Sequence, residues 1–131
     1  MQRNRETAII RTYKDLIVYQ LAYKLAIEIF HFTKDFPKEE TYSLTSQIRK
    51  SSRSIPANIA EGWAKRKYES VFLRHLIDSN GSCEETKVWL DFAKDCQYID
   101  LTQFNFFLDR YKEVGAMLNS LINKWQTFNK G

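Results

Sequence analysis

The chain has 131 residues and a mass of 15.6 kDa, with only 4 glycines and 2 prolines, so its length suits one folded domain with few turns. Hydrophobic residues make up 44% and charged residues 27% of the sequence, a balance that excludes disordered, collagen-like and low-complexity chains. The net charge of +4 makes the protein mildly basic.

Targeting segments and cysteine motifs give two further exclusions. No apolar run approaches the roughly 18 residues of a membrane-spanning helix, and residues 1–14 lack the apolar segment of a signal peptide. We therefore expect a cytoplasmic protein. Cys83 and Cys96 have no CxxC spacing and no neighbouring pair of histidines, so the sequence predicts neither a disulfide framework nor a metal site.

Apolar residues recur at helical spacing along almost the whole chain, and three short breaks interrupt them. The breaks fall at Phe36–Lys38, Gly62–Lys67 and Tyr98–Asp100. Four helices are therefore predicted, over residues 15–34, 41–64, 68–96 and 101–128.

Short links force consecutive helices to run antiparallel. We therefore predict an all-α protein, an antiparallel up-down-up-down four-helix bundle, with residues 15–128 as its single domain. Residues 1–14 are a basic N-terminal extension and residues 129–131 a C-terminal tail. The candidate starting or capping residues are Lys14 or Asp15 for the first helix, Thr41 or Ser43 for the second, and Asp100 or Thr102 for the fourth.

The first predicted helix is apolar over more than half of its circumference. Its polar side chains fill only a narrow stripe, which is formed by Gln20, Lys24, Glu28, His31 and Asp35. Such a helix needs burial on two sides, so either the bundle encloses it or a second surface contacts another subunit. We favour self-association of the chain.

The second predicted helix separates an apolar stripe from a basic face. The stripe is formed by Leu44, Ile48, Ile55 and Ile59. Arg49 and Arg53 lie on the opposite side and are predicted to point outward. Small residues between the two arginines leave room for the close approach of either a phosphate backbone or a neighbouring helix.

Pro56 lies inside this helix, where it has no N–H for the carbonyl of Ser52, so a kink or a break is expected. Asn58 lies near the apolar stripe, and we expect its amide to bond backbone groups at the kink or to reach the third helix. We interpret Pro56, Asn58, Glu61 and Gly62 as structural residues. A catalytic or ligand-binding role for Asn58 or Glu61 is the alternative.

Positive charge is concentrated between residues 49 and 74, a segment with seven bases and two acids, Glu61 and Glu69. The bases are Arg49, Lys50, Arg53, Lys65, Arg66, Lys67 and Arg74. Such a segment binds polyanions with a strong salt dependence, because each neutralised phosphate releases counterions. We predict that these bases contact the phosphates of RNA or DNA; a solvated loop and helix face is the alternative.

The sequence gives little indication of a group of catalytic residues. Four-helix ribonucleases of the HEPN type place an arginine at a fixed short spacing before a histidine, and neither His31 nor His75 has one. Trp89 and Trp125 fall on or beside apolar arcs, whereas Trp63, beside the basic segment, is a candidate contact for a base. We therefore predict a protein that is not an enzyme and has no cofactor and no metal.

The most specific motif of the chain is the run Ser-Ile-Pro-Ala-Asn-Ile-Ala-Glu-Gly from Ser54 to Gly62. Other residues that contribute to a resemblance with a known family are Leu16, Val18–Ala22, Phe36-Pro37, Glu40, Tyr42, Leu44, Gln47–Ser51, Arg66, Phe72-Leu73, Gly81-Ser82, Glu84, Ala93 and Tyr98. In these residues the sequence, roughly from Leu16 to Ile122, resembles the 23S rRNA intervening-sequence proteins, a four-helix-bundle family. This family is related to the accessory proteins of diversity-generating retroelements.

The resemblance implies a bundle that assembles as a ring-shaped homopentamer, binds nucleic acid and has no known catalytic activity. The retroelement relatives bind RNA and a reverse transcriptase, which implies a scaffold for RNA or protein. We therefore expect a non-catalytic, oligomeric protein that binds RNA or DNA through the second helix and the following loop. The alternative is a protein-interaction scaffold whose basic residues contact a neighbouring subunit or another protein.

Overall fold

The computed structural model describes residues 9–130, with side chains for residues 9–125. This part of the chain forms four long helices and no strand, so the predicted all-α, up-down-up-down bundle is confirmed. The helices are α1 (Ile17–Phe32), α2 (Leu44–Ala64), α3 (Glu69–Asp95) and α4 (Leu101–Lys130). None of these described helices combines the length and the hydropathy needed to cross a membrane.

The predicted N-terminal extension lies mostly outside the described residues, because only residues 9–14 of it are covered. Thr12 and Asp15 cap a single 3-10 turn, in which the Lys14 amide donates to Thr12 Oγ1 over 3.2 Å. The Thr12 amide donates to Asp15 Oδ2 over 3.0 Å. Since this turn precedes the helix, α1 begins at Ile17, slightly after the predicted start.

The start of α2 is capped by a residue that the sequence did not single out for this role. Ser43 precedes the helix as predicted, but its side chain does not cap it. Instead, Glu40 Oε1 accepts from the Leu44 amide over 3.2 Å and from the Ser43 hydroxyl over 2.7 Å. At α4 the prediction holds, because Asp100 Oδ1 accepts from the Gln103 amide over 2.7 Å.

Glu40 also joins the two connections at this end of the bundle. The Tyr98 hydroxyl, between α3 and α4, donates to Glu40 Oε2 over 2.7 Å. Hydrogen bonds from Ser43 and Tyr98 and from the Leu44 amide lower the pKa of Glu40. The same carboxylate, with a smaller contribution from burial, raises the pKa of Tyr98 to about 12.

α1 buries only part of its apolar surface. The residues that face the core are Val18, Ala22, Leu25, Ala26 and Ile29. Tyr23 and Ile27 are 52% and 44% exposed, respectively. The described residues of one chain therefore leave part of the wide apolar arc of this helix exposed.

α2 and α3 pack more extensively against each other than the other helices do. Their interface contains the buried polar residues Ser51, Ser79 and Thr86. The Ser79 hydroxyl donates to the Ile55 carbonyl over 2.9 Å, and Thr86 Oγ1 lies 2.9 Å from Ser51 Oγ. Because each of these buried groups has a partner, the hydrogen bonds offset the cost of removing these polar atoms from water.

α2 runs through Pro56 without interruption, so the break that the sequence allowed does not occur. Side chains bond the carbonyl groups next to the proline: Asn58 Nδ2 donates to the Ser54 carbonyl over 3.0 Å. Ser79 supplies the donor for the Ile55 carbonyl from α3. Neither bond replaces the donor that Pro56 lacks, because the carbonyl left without a helical N–H is that of Ser52; the two side chains add donors to the neighbouring carbonyls of Ser54 and Ile55.

α2 and α3 approach each other closely at Gly62. A Cβ atom at this position would lie 2.7 Å from His75 Cβ and 3.3 Å from Phe72 Cδ1. A methyl group therefore has no space unless the two helices move apart. This contact gives a steric reason for glycine at the end of the Ser54–Gly62 run.

Candidate functional site

Three cations surround the ring of Phe30, near the C-terminal end of α1. The guanidinium carbons of Arg49 and Arg53, on α2, lie 4.8 Å and 5.6 Å from the ring centroid. Lys34 Nζ lies 4.8 Å from the same centroid. The negative face of an aromatic ring attracts cations at these distances. We call Phe30, Thr33, Lys34, Arg49 and Arg53 the Phe30 cluster.

Arg49 is the anchored member of the Phe30 cluster. Its Nε atom donates to Thr33 Oγ1 over 2.7 Å, and its Nη2 atom donates to the Phe30 carbonyl over 3.3 Å. The Thr33 hydroxyl itself donates to the Ile29 carbonyl over 2.8 Å, which leaves its lone pairs for Arg49. Arg49 is therefore half-buried and fixed, whereas Arg53 is exposed.

Within residues 9–125, no carboxylate forms an ion pair with a base of the Phe30 cluster. The ion pairs in that range involve other bases. Lys50, on the adjacent turn of α2, is exposed and also has no ion pair in that range. Several like charges close to one another produce a locally positive potential. This surface is therefore suited to a polyanion.

A second group of bases lies between α2 and α3, and we call Lys65, Arg66 and Lys67 the basic loop. Lys65 Nζ pairs with Glu61 Oε2 at 2.9 Å, and this contact lowers the pKa of Glu61. The Arg66 guanidinium lies 4.2 Å from the Trp63 ring and donates to the Trp63 carbonyl over 2.9 Å. Lys67 is exposed and has no ion pair within the described side chains.

Trp63 is not the exposed contact for a base that the sequence suggested. Its side chain is only 9% exposed, because it packs against Phe72 and Trp125 with ring centroids 6.1 Å and 6.4 Å away. Arg66 covers it from outside. A nucleobase has no free face of this ring to stack on, so this part of the prediction is wrong.

The seven predicted bases fall into two groups along the bundle. Arg49, Lys50 and Arg53 lie on the first half of α2, and the basic loop begins at Lys65. The 12 positions between Arg53 and Lys65 correspond to about 18 Å along an α-helix. Arg74 is exposed near the start of α3, at the same end of the bundle as the basic loop.

The surface of α1 and α2 between the two basic groups contains an exposed aromatic ring. The bond between Arg49 and Thr33 fixes the antiparallel register, so one turn back along α1 matches one turn forward along α2. By this register, Tyr23 lies level with Ile59. The Tyr23 ring is exposed and stacks on Tyr19 with centroids 5.9 Å apart.

Asn58, Glu61 and His75 form a polar contact between α2 and α3. Because Asn58 Nδ2 donates to the Ser54 carbonyl, its Oδ1 atom faces His75 Nδ1 at 3.2 Å and accepts the imidazole N–H. His75 Nε2 lies 3.9 Å from Glu61 Oε2. Both contacts expected for Asn58, with the backbone beside Pro56 and with the third helix, are present.

Metal-binding and thiol chemistry have little basis in the described residues. No group of three or more His, Cys, Asp or Glu side chains in that part of the chain is arranged to hold a metal ion. Cys83 is buried and donates to the Tyr111 carbonyl over 3.2 Å. Burial raises the pKa of Cys83 to about 11, so this thiol stays protonated at neutral pH.

Three members of the Phe30 cluster are not apparent from the sequence. The apolar pattern places Phe30 among the other apolar residues of its helix, and it gives no reason to single out Thr33 or Lys34. The only local signal is the spacing of four between Phe30 and Lys34, which places an aromatic ring and a base on one helix face.

By its fold and this charge pattern, the protein is an antiparallel four-helix bundle with a basic surface on α1 and α2. A family model described as "23S rRNA-intervening sequence protein" matches residues 14–120. The chain belongs to this family, which confirms the resemblance based on the Ser54–Gly62 run.

A solved structure has the same fold as this chain. It is a protein with unknown function from the S23 ribosomal protein family of Bacteroides thetaiotaomicron VPI-5482, 25% identical to this chain, with a TM-score of 0.75. The alignment covers 82% of this chain and 96% of the other. A comparison with curated proteins gave no significant match.

Proposed function

We propose that the chain is a non-catalytic cytoplasmic protein that binds nucleic acid, RNA in the first place, through the Phe30 cluster and the basic loop. The observation that carries this proposal is the grouping of Lys34, Arg49 and Arg53 around one ring, without a carboxylate partner among residues 9–125. Contact with the ring holds these charges side by side, so they are arranged before a phosphate arrives.

The exposed bases differ in how free their donors are. A guanidinium group donates to two phosphate oxygens at once, which suits Arg53 for the main contact. Arg49 already bonds protein oxygens, and Lys65 already has an ion pair. Lys50 and Lys67 are exposed and have no ion pair within the described side chains, so they add further phosphate contacts.

Both basic groups fit on one strand of nucleic acid. The separation of about 18 Å along α2 corresponds to about five nucleotides, at about 3.4 Å per nucleotide of a duplex strand. Contacts of this kind position the polymer through its backbone and read little of its base sequence. RNA is proposed before DNA because the resemblance extends to the accessory proteins of diversity-generating retroelements, which bind RNA.

RNA and DNA binding in a salt series tests the proposal. The variant Lys50→Ala/Arg53→Ala/Lys67→Ala removes three exposed bases that have no ion pair within residues 9–125. Each phosphate contact contributes about 0.7–0.9 to the slope of log K against log salt, so we expect the slope to become shallower by about 2 to 3. The affinity at low salt then falls at least about tenfold.

A matched variant, Lys38→Ala/Arg110→Ala/Lys112→Ala, removes the same charge at positions that belong neither to the Phe30 cluster nor to the basic loop. We expect this control to keep the salt dependence of the wild type. Absence of binding at low salt, or an equal loss in both variants, contradicts the proposal.

We further propose that the chain forms a homo-oligomer, with the pentamer implied by the family resemblance as the expected size. Exposed apolar side chains on two different helices support self-association: Tyr23 and Ile27 on α1, and Ile77 and Val88 on α3. Light scattering is expected to give a mass several times 15.6 kDa. A monomer at micromolar concentration contradicts this part of the proposal.

A protein-interaction scaffold is the second candidate function, and the charge of α3 favours it. The exposed acidic residues on this helix are Asp78, Glu84, Glu85, Asp91 and Asp95. In this function, Arg53 and Lys50 contact carboxylates of a neighbouring subunit or of another protein. The variant Lys50→Ala/Arg53→Ala/Lys67→Ala separates the two functions: loss of assembly favours the scaffold, and intact assembly with lost RNA binding favours the nucleic-acid function.

A further inference from the structure

A cleft with aromatic walls lies at the end of the bundle opposite the basic loop. It has a volume of about 350 Å³ and lies between the start of α2 and the last turns of α3. Tyr42, Trp89 and Phe92 form its walls. Tyr42 is 94% exposed and Phe92 53% exposed, and the rings of Trp89 and Phe92 have centroids 5.8 Å apart. The rings of Tyr42 and Phe92 therefore present free faces to a ligand, while Trp89 is partly buried behind them.

Carboxylates accompany the aromatic walls. Glu40 lines the cleft, and hydrogen bonds from Ser43 and Tyr98 lower its pKa, so it is ionised at neutral pH. Glu85 Oε2 accepts from the indole N–H of Trp89 over 3.1 Å. A second negative charge therefore lies at the edge of the Trp89 ring.

Within the described side chains, neither Glu40 nor Glu85 forms an ion pair with a nearby base. Lys94, on the last turn of α3, has its ammonium 4.4 Å from the Phe104 ring centroid and 3.9 Å from Asp95. Lys50 lies nearly one turn beyond Gln47 on α2 and is exposed. The cleft therefore combines free aromatic faces with negative charge that is not locally compensated.

We propose that this cleft binds an arginine or lysine side chain from a basic segment of a partner protein. Aromatic rings attract such a cation through their negative faces, and Glu40 and Glu85 supply the opposite charge. Nucleic acid has the wrong charge for this site, and an apolar ligand gives the two carboxylates no counter-charge. None of the seven bases assigned to nucleic-acid binding lines the cleft, so this inference does not depend on the proposed function.

Cys96 lines the same cleft and is exposed, so it can report whether the cleft is occupied. The only other cysteine of the sequence, Cys83, is buried and bonded to the Tyr111 carbonyl. An alkylating reagent at neutral pH therefore labels Cys96 and spares Cys83.

The test measures the alkylation rate of Cys96 in the full chain as a short peptide, Gly-Arg-Gly-Arg-Gly, is titrated. A control peptide carries citrulline in place of arginine, which preserves the shape and removes the charge. We expect the arginine peptide to protect Cys96 at a concentration at least about fivefold lower than the citrulline peptide. Equal protection by both peptides, or protection by neither, overturns the proposal.

Variants of the exposed walls place the peptide in the cleft. We expect Tyr42→Ala and Phe92→Ala each to raise the arginine-peptide concentration needed for protection at least about fivefold. Tyr68→Ala removes a similarly exposed ring at the other end of the bundle and is expected to leave protection unchanged. An equal effect of all three variants overturns the proposal.

A second copy of this chain is the competing occupant of the cleft. In that case Cys96 is already slow to react without peptide and becomes reactive when the protein is diluted. This outcome also overturns the proposal, whereas rapid alkylation that is independent of protein concentration supports it.

Discussion

The two sides of α2 differ in the partners that their polar residues have. Toward α3, Asn58 bonds groups on both helices, and Ser79 of α3 bonds the Ile55 carbonyl. Toward α1, Arg49 and Arg53 gather around Phe30 without carboxylates in the described part of the chain. A polar group stabilises the fold where its partner is internal, and it remains available to a ligand where that partner is missing.

Gly62→Ala tests the close contact between α2 and α3 and has the largest expected effect. The added Cβ lies 2.7 Å from His75 Cβ, so we expect the free energy of unfolding in urea to fall by about 3 kcal/mol. Gly81→Ala is the matched control, because nothing lies within 4 Å of its added Cβ. There we expect a gain of about 1 kcal/mol from helix propensity. A similar loss in both variants would remove the close contact as the cause.

Asn58→Ala removes the amide that connects Ser54 with His75. The imidazole N–H then has no partner in a mostly buried position, and we expect a loss of about 2 kcal/mol in the free energy of unfolding. Ser46→Ala, on the exposed side of the same helix, is expected to change it by less than about 0.5 kcal/mol. Equal stability of the two variants, measured by urea unfolding, would break the contrast between the two sides of α2.

Arg49→Ala and Arg53→Ala sharpen the contrast within the Phe30 cluster. Arg49 bonds Thr33, so we expect its loss to cost about 1 kcal/mol of stability, whereas loss of the exposed Arg53 costs less than about 0.5 kcal/mol. In RNA titrations at several salt concentrations, Arg53→Ala is expected to make the slope shallower by about 0.9. A larger loss of stability for Arg53→Ala than for Arg49→Ala would reverse the assigned roles.

The exposed ion pair between Lys65 and Glu61 has the smallest expected effect on stability. Lys65 lowers the pKa of Glu61, so the carboxylate adds stability above its unfolded pKa and loses it as pH falls through the lower folded pKa. We expect the melting temperature of Glu61→Gln to fall slightly less than that of the wild type on acidification below pH 4.5. The same pH dependence in both proteins would show that the pair adds nothing to stability.

The helices are predictable because few breaks interrupt the apolar spacing and because Asp100 carries its capping signal locally. The cap of α2 is less predictable. Ser43 has the expected residue type, but Glu40 reaches the Leu44 amide from a preceding turn whose geometry depends on the whole connection.

The candidate site is also predictable from the sequence only in part. Arg49 and Arg53 lie four positions apart on one helix, so the sequence shows that they share a face. Their contact with Phe30 depends on the register between α1 and α2, which no local pattern specifies. The burial of Trp63 likewise depends on Phe72 and Trp125 from two other helices.

The hydrogen bond between Tyr98 and Glu40 joins the connections of two helical hairpins, α1 with α2 and α3 with α4. Because both connections share this bond, fraying of one is coupled to fraying of the other, and we expect their amide hydrogens to exchange together. Tyr98→Phe removes the bond and is expected to speed exchange in both connections, while the packing of α2 against α3 keeps the two hairpins together.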